Sequence, residues 1–150
     1  MLNAITLYRI AHQLWKWKVP VLPSLIRLLI FLMYNSVVPS ECEIGAGSFL
    51  AYGGIGVVLH RRAVIGRDVN IGSNVLIGGQ SGGKGVPRIG DNVFLATGCK
   101  ILGEIEIGNF VVVGANTVVT KSVPPFSVVA GIPAKIIRTN ITKEEYRLLT

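Results

Sequence analysis

Histidine and cysteine are both scarce: the 150 residues include only His12 and His60, and only Cys42 and Cys99. Two cysteines make no disulfide framework, so a reducing compartment, the cytoplasm, is the default setting. Two histidines cannot build a zinc site of three imidazoles, and no metal is expected. Charged residues make up only 15% of the chain, and Lys and Arg never gather into a dense run. With no nucleic-acid-binding motif either, a nucleic-acid partner is not expected. The chain also lacks an apolar run long enough to span a bilayer comfortably. The longest, Leu25 to Val38, is short and carries Arg27. Arg9, His12, Lys16 and Lys18 interrupt any early apolar stretch, so a signal peptide is not expected.

What is present is half apolar, which excludes a disordered chain and suffices for one domain with its own core. The net charge of +7 points to an anionic partner. Because the basic residues are scattered, a phosphorylated small molecule fits better than a polymer. Weak association with a membrane surface is the other expectation. It rests on the apolar segment after Ser24, which reads as a buried helix or, less simply, as one lying on a membrane.

Apolar residues at Ile5, Tyr8, Ala11, Leu14 and Trp15 have helical spacing over Leu2 to Lys18. Pro20 and Pro23 break that helix. Ser24 is placed to cap a second one through Leu28, Leu29 and Leu32, which Pro39 closes. The first region, residues 1–38, therefore reads as two covering helices.

The pattern then changes. Ile65, Ile71, Ile77, Ile89, Leu95, Ile101, Ile107, Val113 and Val119 recur on a period of six, broken once. A small residue often follows, as at Gly66, Gly72, Gly90, Ala96 and Gly114. A second apolar residue often lies four places on, as at Val69, Val75, Val93, Ile105 and Val111. A period of six predicts a parallel β-helix of hexapeptides, three to a coil, over residues 39–138. The aliphatic residue points inward, and the small residue is expected to ease the corner. Gly79 to Pro87 breaks the period and reads as an exposed loop, a good place for function. Prolines from Pro124 are expected to stop the repeats. Residues 139–150 form a tail or short helix with Thr142 as cap ahead of Glu145.

Several of these segments resemble the serine acetyltransferases. They are Tyr8-Arg9-Ile10-Ala11-His12, the Gly-rich loop, Lys100-Ile101-Leu102-Gly103, Val113-Gly114-Ala115 and Ala130-Gly131-Ile132-Pro133-Ala134. The resemblance implies a left-handed β-helix, a homotrimer, acetyl-CoA as co-substrate and a hydroxyl acceptor, either serine or a sugar of a polysaccharide precursor. It departs at the catalytic residues. The family's Asp-Ile-His-Pro corresponds to Val37-Val38-Pro39-Ser40, its Asp-His to the Ala51-Tyr52 segment, and its Arg-His-Pro to Gly85-Val86-Pro87. The family's base therefore has no counterpart here.

Acetyl transfer to a hydroxyl needs a proton acceptor, and histidine suits it near neutral pH. His12 lies on the first helix and reads as a packing or capping residue. His60 follows the inward Leu59, in the slot that is usually Gly or Ala, so its ring is expected to point outward as the general base. Glu41 and Glu43 are the weaker alternatives. Arg61 and Arg62 are placed to position an anionic group, and Tyr52 and Gly53 to meet the acceptor. The resemblance places coenzyme A contacts at Ala96, Thr97, Gly114 and Ala115. Lys100, Lys121, Lys135 and Arg138 are the candidates for its phosphates. A backbone N–H near Gly78 and Gly79 is the candidate oxyanion donor. Two other functions compete on the same fold. A hydro-lyase like the γ-type carbonic anhydrases would need a third histidine. A non-catalytic trimeric scaffold or membrane-associated assembly protein would bind no coenzyme A.

Overall fold

The computed structural model describes residues 3–150. Leu2, the expected start of the first helix, lies outside them. Helix α1 (Ala4–Lys16) begins at Asn3, whose side chain accepts the Ile5 N–H at 3.0 Å. Helix α2 (Leu22–Tyr34) starts three residues earlier than Ser24 as its cap would place it. Val21 occupies the cap without a side-chain bond, and Pro23 falls in the first turn, where its missing N–H costs nothing. The two helices pack on one another and bury Ala4, Tyr8, Ala11, Pro23, Ile30 and Tyr34. Leu28, Leu29 and Leu32 are not in that core but face outward, which corrects the reading of α2 as a buried helix.

Beyond Tyr34 the chain winds into a three-faced parallel β-helix. One face stacks β1 (Glu43–Ile44), β4 (Val64–Ile65), β7 (Arg88–Ile89) and β10 (Glu106–Ile107). The second stacks β2 (Phe49–Leu50), β5 (Asn70–Ile71), β8 (Phe94–Leu95), β11 (Val112–Val113) and β13 (Val128–Ala130). The third stacks β3 (Val58–Leu59), β6 (Leu76–Gly78), β9 (Lys100–Leu102) and β12 (Val118–Val119). Register places like on like, with Ile44 on Ile65 on Ile89 on Ile107. These residues and Val69, Val75, Val93 and Val111 are buried, so every second residue of each short strand feeds the core.

Two boundaries differ from the sequence reading. The β-helix begins before residue 39, since Val37 already bridges Val58. The prolines do not end it. Val123 bridges Ile107 and β13 adds a further rung before the chain reverses into the antiparallel β14 (Lys135–Arg138). Helix α3 (Lys143–Leu149) then closes the chain with a reciprocal capping box between Thr142 and Glu145.

The corners work differently from the expectation. Gly45, Gly66, Gly72, Gly90 and Gly108 have ordinary φ angles. A Cβ at any of them would come within 2.4–2.6 Å of an atom of the next coil. These glycines permit close stacking of coils. The turn itself is made two residues later at Asp68, Asn74, Asn92, Gly98 and Asn116, all with positive φ. Asp, Asn and Gly tolerate that region best.

Candidate functional site

The three long edges of the prism are not equivalent. The edge between the first and second faces holds glycine in the slot after the inward residue at four coils, Gly45, Gly66, Gly90 and Gly108, and Pro124 after Val123. The edge between the second and third holds Ala51, Gly72, Ala96 and Gly114. The edge between the third and first holds His60, Gly78, Leu102 and Thr120. Larger side chains occupy that edge although the coils stay paired there, with Gly78 in register with Leu102. After Gly78 the chain leaves as the exposed Gly79–Lys84 loop, and a Cβ on Gly78 would touch only Leu76, at 3.8 Å. His60 therefore sits beside the loop root, partly exposed.

The His60 backbone is fixed by its N–H to the Ile77 carbonyl at 2.8 Å. Its Nδ1 accepts the Arg62 N–H at 3.1 Å. That contact uses the Nδ1 lone pair, so the neutral ring carries its proton on Nε2 and offers a donor outward. The Arg62 guanidinium donates to the Lys84 carbonyl at 2.6 Å and ties the loop to this corner. Next to them opens a cleft of about 580 Å³ lined by Arg62, Lys84, Arg88, Glu104, Glu106 and Ser122, with Val86 and Ile105 as its apolar part. Sequence reasoning missed Arg88, Glu104 and Glu106. Their signal was the strand register, which sets Arg88 directly beside Glu106 on the outward side.

The other predicted residues fall into separate groups. Tyr52 has φ 54° and is 70% exposed at the second edge, in a three-residue insertion between Leu50 and Leu59. It shares a cleft of about 350 Å³ with Ala51, Ala96, Thr97 and Ala115. Gly53 is buried behind it, and Gly114 lies at the same edge. Lys121 and Lys135 line a third cleft of about 340 Å³ at the far end, with Pro133 and Ile136. Lys100 points from the third face and donates to the Gly98 carbonyl at 3.1 Å. Arg61 is exposed beside His60. Arg138 is not a free cation, because its guanidinium pairs with Glu145 at the α3 cap. His60 and Tyr52 thus stand on different edges of one prism, and the Tyr52 cleft does not include His60.

His12 fulfils the packing expectation. Its Nδ1 lies 2.7 Å from the Ser40 carbonyl and its ring stacks between Tyr8 and Trp15. Tyr8 donates to the Cys42 carbonyl. Cys42 and Cys99 are free and fully buried, and burial pushes both thiols up to about 12. Neither is a nucleophile at neutral pH.

The bacterial transferase hexapeptide model, of six repeats, matches residues 87–121. The serine acetyltransferase of Staphylococcus xylosus is 40% identical over 138 residues, covering 91% of this chain and 63% of the relative. That of Buchnera aphidicola subsp. Schizaphis graminum is 37% identical over 139 residues, covering 91% and 53%. A serine acetyltransferase solved in complex with cysteine superposes with a TM-score of 0.87 at 31% identity, covering 98% of this chain and 58% of that one. Another, in complex with CoA, gives 0.81 at 34% identity, covering 89% and 55%. The chain spans between half and two thirds of the length of these relatives. The coil period, the stacked faces and these likenesses agree on a hexapeptide-repeat β-helix that is similar over most of its length to the serine acetyltransferases.

Proposed function

We propose that this protein transfers an acetyl group from acetyl-CoA to the hydroxyl of a small acceptor, serine before a sugar, in a cytoplasmic setting. The observation that carries the reading is the likeness, over 89% of the chain, to a serine acetyltransferase solved with CoA. The cleft of Tyr52, Ala96, Thr97 and Ala115 supports it, since small side chains there let a pantetheine arm approach the main chain. Lys121 and Lys135 are the cations best placed for the phosphates, as they line one cleft.

In the proposed reaction the acceptor oxygen attacks the thioester carbonyl while His60 takes the hydroxyl proton. The tetrahedral oxyanion then collapses and expels the CoA thiolate, which recovers the proton from the imidazolium. For this, His60 must release the Arg62 N–H and hold its own proton on Nδ1, leaving the Nε2 lone pair free. One exposed hydrogen bond is worth about 1 kcal/mol. A placed acid–base group contributes at least about 100-fold, roughly 2.7 kcal/mol. The gain exceeds the cost.

Because His60 and Tyr52 occupy different edges, one site containing both takes an edge from each of two copies. We therefore include a closed homotrimer in the proposal. Sedimentation at micromolar concentration should give three chain masses, and a monomer with full activity would contradict the shared site. The acceptor is tested by thiol release from acetyl-CoA against a panel of serine, related hydroxy amino acids and sugars. Serine-dependent release supports the reading. Release with sugars alone replaces the acceptor, and none with any acceptor removes the activity.

A further inference from the structure

Helix α2 turns half of its circumference away from the rest of the chain, and that half is apolar. Leu22, Leu25, Leu28, Leu29, Leu32 and Met33 are all exposed there, Leu32 at 71%. Only Ser24 and Arg27 are polar among the residues from Leu22 to Met33. A contiguous apolar surface of this kind marks an interaction site. Trp15 and Trp17 are exposed just before it, Trp17 at 68%. Indole rings favour the boundary between water and hydrocarbon.

The charge around this face has one sign. No acidic residue occurs before Glu41. Lys16, Lys18 and Arg27 are exposed, and none has a partner among the described residues. Arg9 differs, since the carbonyls of Ile44, Gly45 and Ser48 hold it. Arg27 shares a shallow cleft with Leu28 and Phe31, so a free cation borders the apolar surface directly.

We propose that the outer face of α2 lies on an anionic lipid surface, with Lys16, Lys18 and Arg27 meeting the headgroups. The helix has 13 residues, about 20 Å of length, against a hydrocarbon layer of about 30 Å. Among the described residues no helix is long and apolar enough to cross a membrane, so α2 lies in the plane of the interface. A second copy on the same face would complement the leucines but would bring like-charged rims together. Anionic headgroups complement both. This assignment stands apart from the acetyl-transfer reading.

The test is flotation of the full chain with vesicles of phosphatidylcholine alone and with vesicles rich in phosphatidylglycerol. Binding to the anionic vesicles should be about tenfold tighter or more, and should weaken as salt rises. Tryptophan emission should move to the blue on binding. The double variant Leu25→Glu, Leu32→Glu should lose binding without a change in melting temperature, because both side chains are already exposed in the free chain. The double variant Lys18→Glu, Arg27→Glu should lose the preference for anionic lipid. Absence of wild-type binding to either vesicle overturns the proposal. So does equal binding to both. A drop in oligomer mass on Leu25→Glu, Leu32→Glu, with vesicle binding retained, assigns the face to a second copy instead.

Discussion

At His60 the slot and the hydrogen bonds make separate demands. The slot after an inward aliphatic residue is glycine at four coils of one edge, whereas here it holds an imidazole beside the root of the Gly79–Lys84 loop. The Arg62 N–H then selects which ring nitrogen faces outward as a donor. The two buried thiols give a different prediction. Burial raises Cys42 and Cys99 from about 9 to about 12. The folded state therefore keeps both protons where the unfolded state begins to lose them. Their contribution is complete below about pH 9 and is lost as pH rises toward 12. Urea midpoints at neutral pH and near pH 10 should show a fall for the wild type. The fall should be smaller for Cys42→Ala, Cys99→Ala, and an equal fall in both would place the alkaline sensitivity elsewhere.

At the level of the coil, corner glycines are held by proximity. A Cβ at Gly72 would lie 2.6 Å from the Thr97 nitrogen and 2.9 Å from the Leu95 carbonyl oxygen, both backbone atoms that cannot step aside. Gly72→Ala should cost about 1–3 kcal/mol, as overpacking does. Gly78→Ala, where nothing lies closer than 3.8 Å, should be near neutral. Thermal melts of the two variants decide it, and equal melting temperatures would refute the stacking explanation. The β-helix was legible because its period is written in residues that must be buried, such as Ile65, Ile71 and Ile77. The role of Asp68, Asn74 and Asn92 was less visible, since polar residues at corners also suit plain solvent exposure. The start of α2 was misread because Pro23 serves equally as a breaker and as a first-turn residue. The partnership of Arg138 with Glu145 was hidden because it joins a strand to a capping box, a tertiary contact without a local pattern.

For the whole molecule, the arrangement separates tasks. The prism is a ladder whose three edges differ in what their slots hold and in where the chain leaves the coil. One edge stacks tightly. One carries the Tyr52 cleft, and one carries His60, the tethered loop and a charged cleft. The helices cover the first coil, and α2 leaves an apolar outer face. Sequence spacing revealed the edge on which each candidate stands. It could not reveal that the Tyr52 cleft and His60 lie on distinct edges, because that depends on how three faces close in space. In the proposed reaction turnover depends on His60, and turnover and CoA affinity of the His60 variants test this most directly. His60→Ala and His60→Gln should both bind CoA as the wild type does and both lose about 100-fold or more in kcat, because neither supplies a base. If His60→Gln retains near-wild-type turnover while His60→Ala does not, His60 acts as a donor. If both retain it, the base lies elsewhere and the central claim fails.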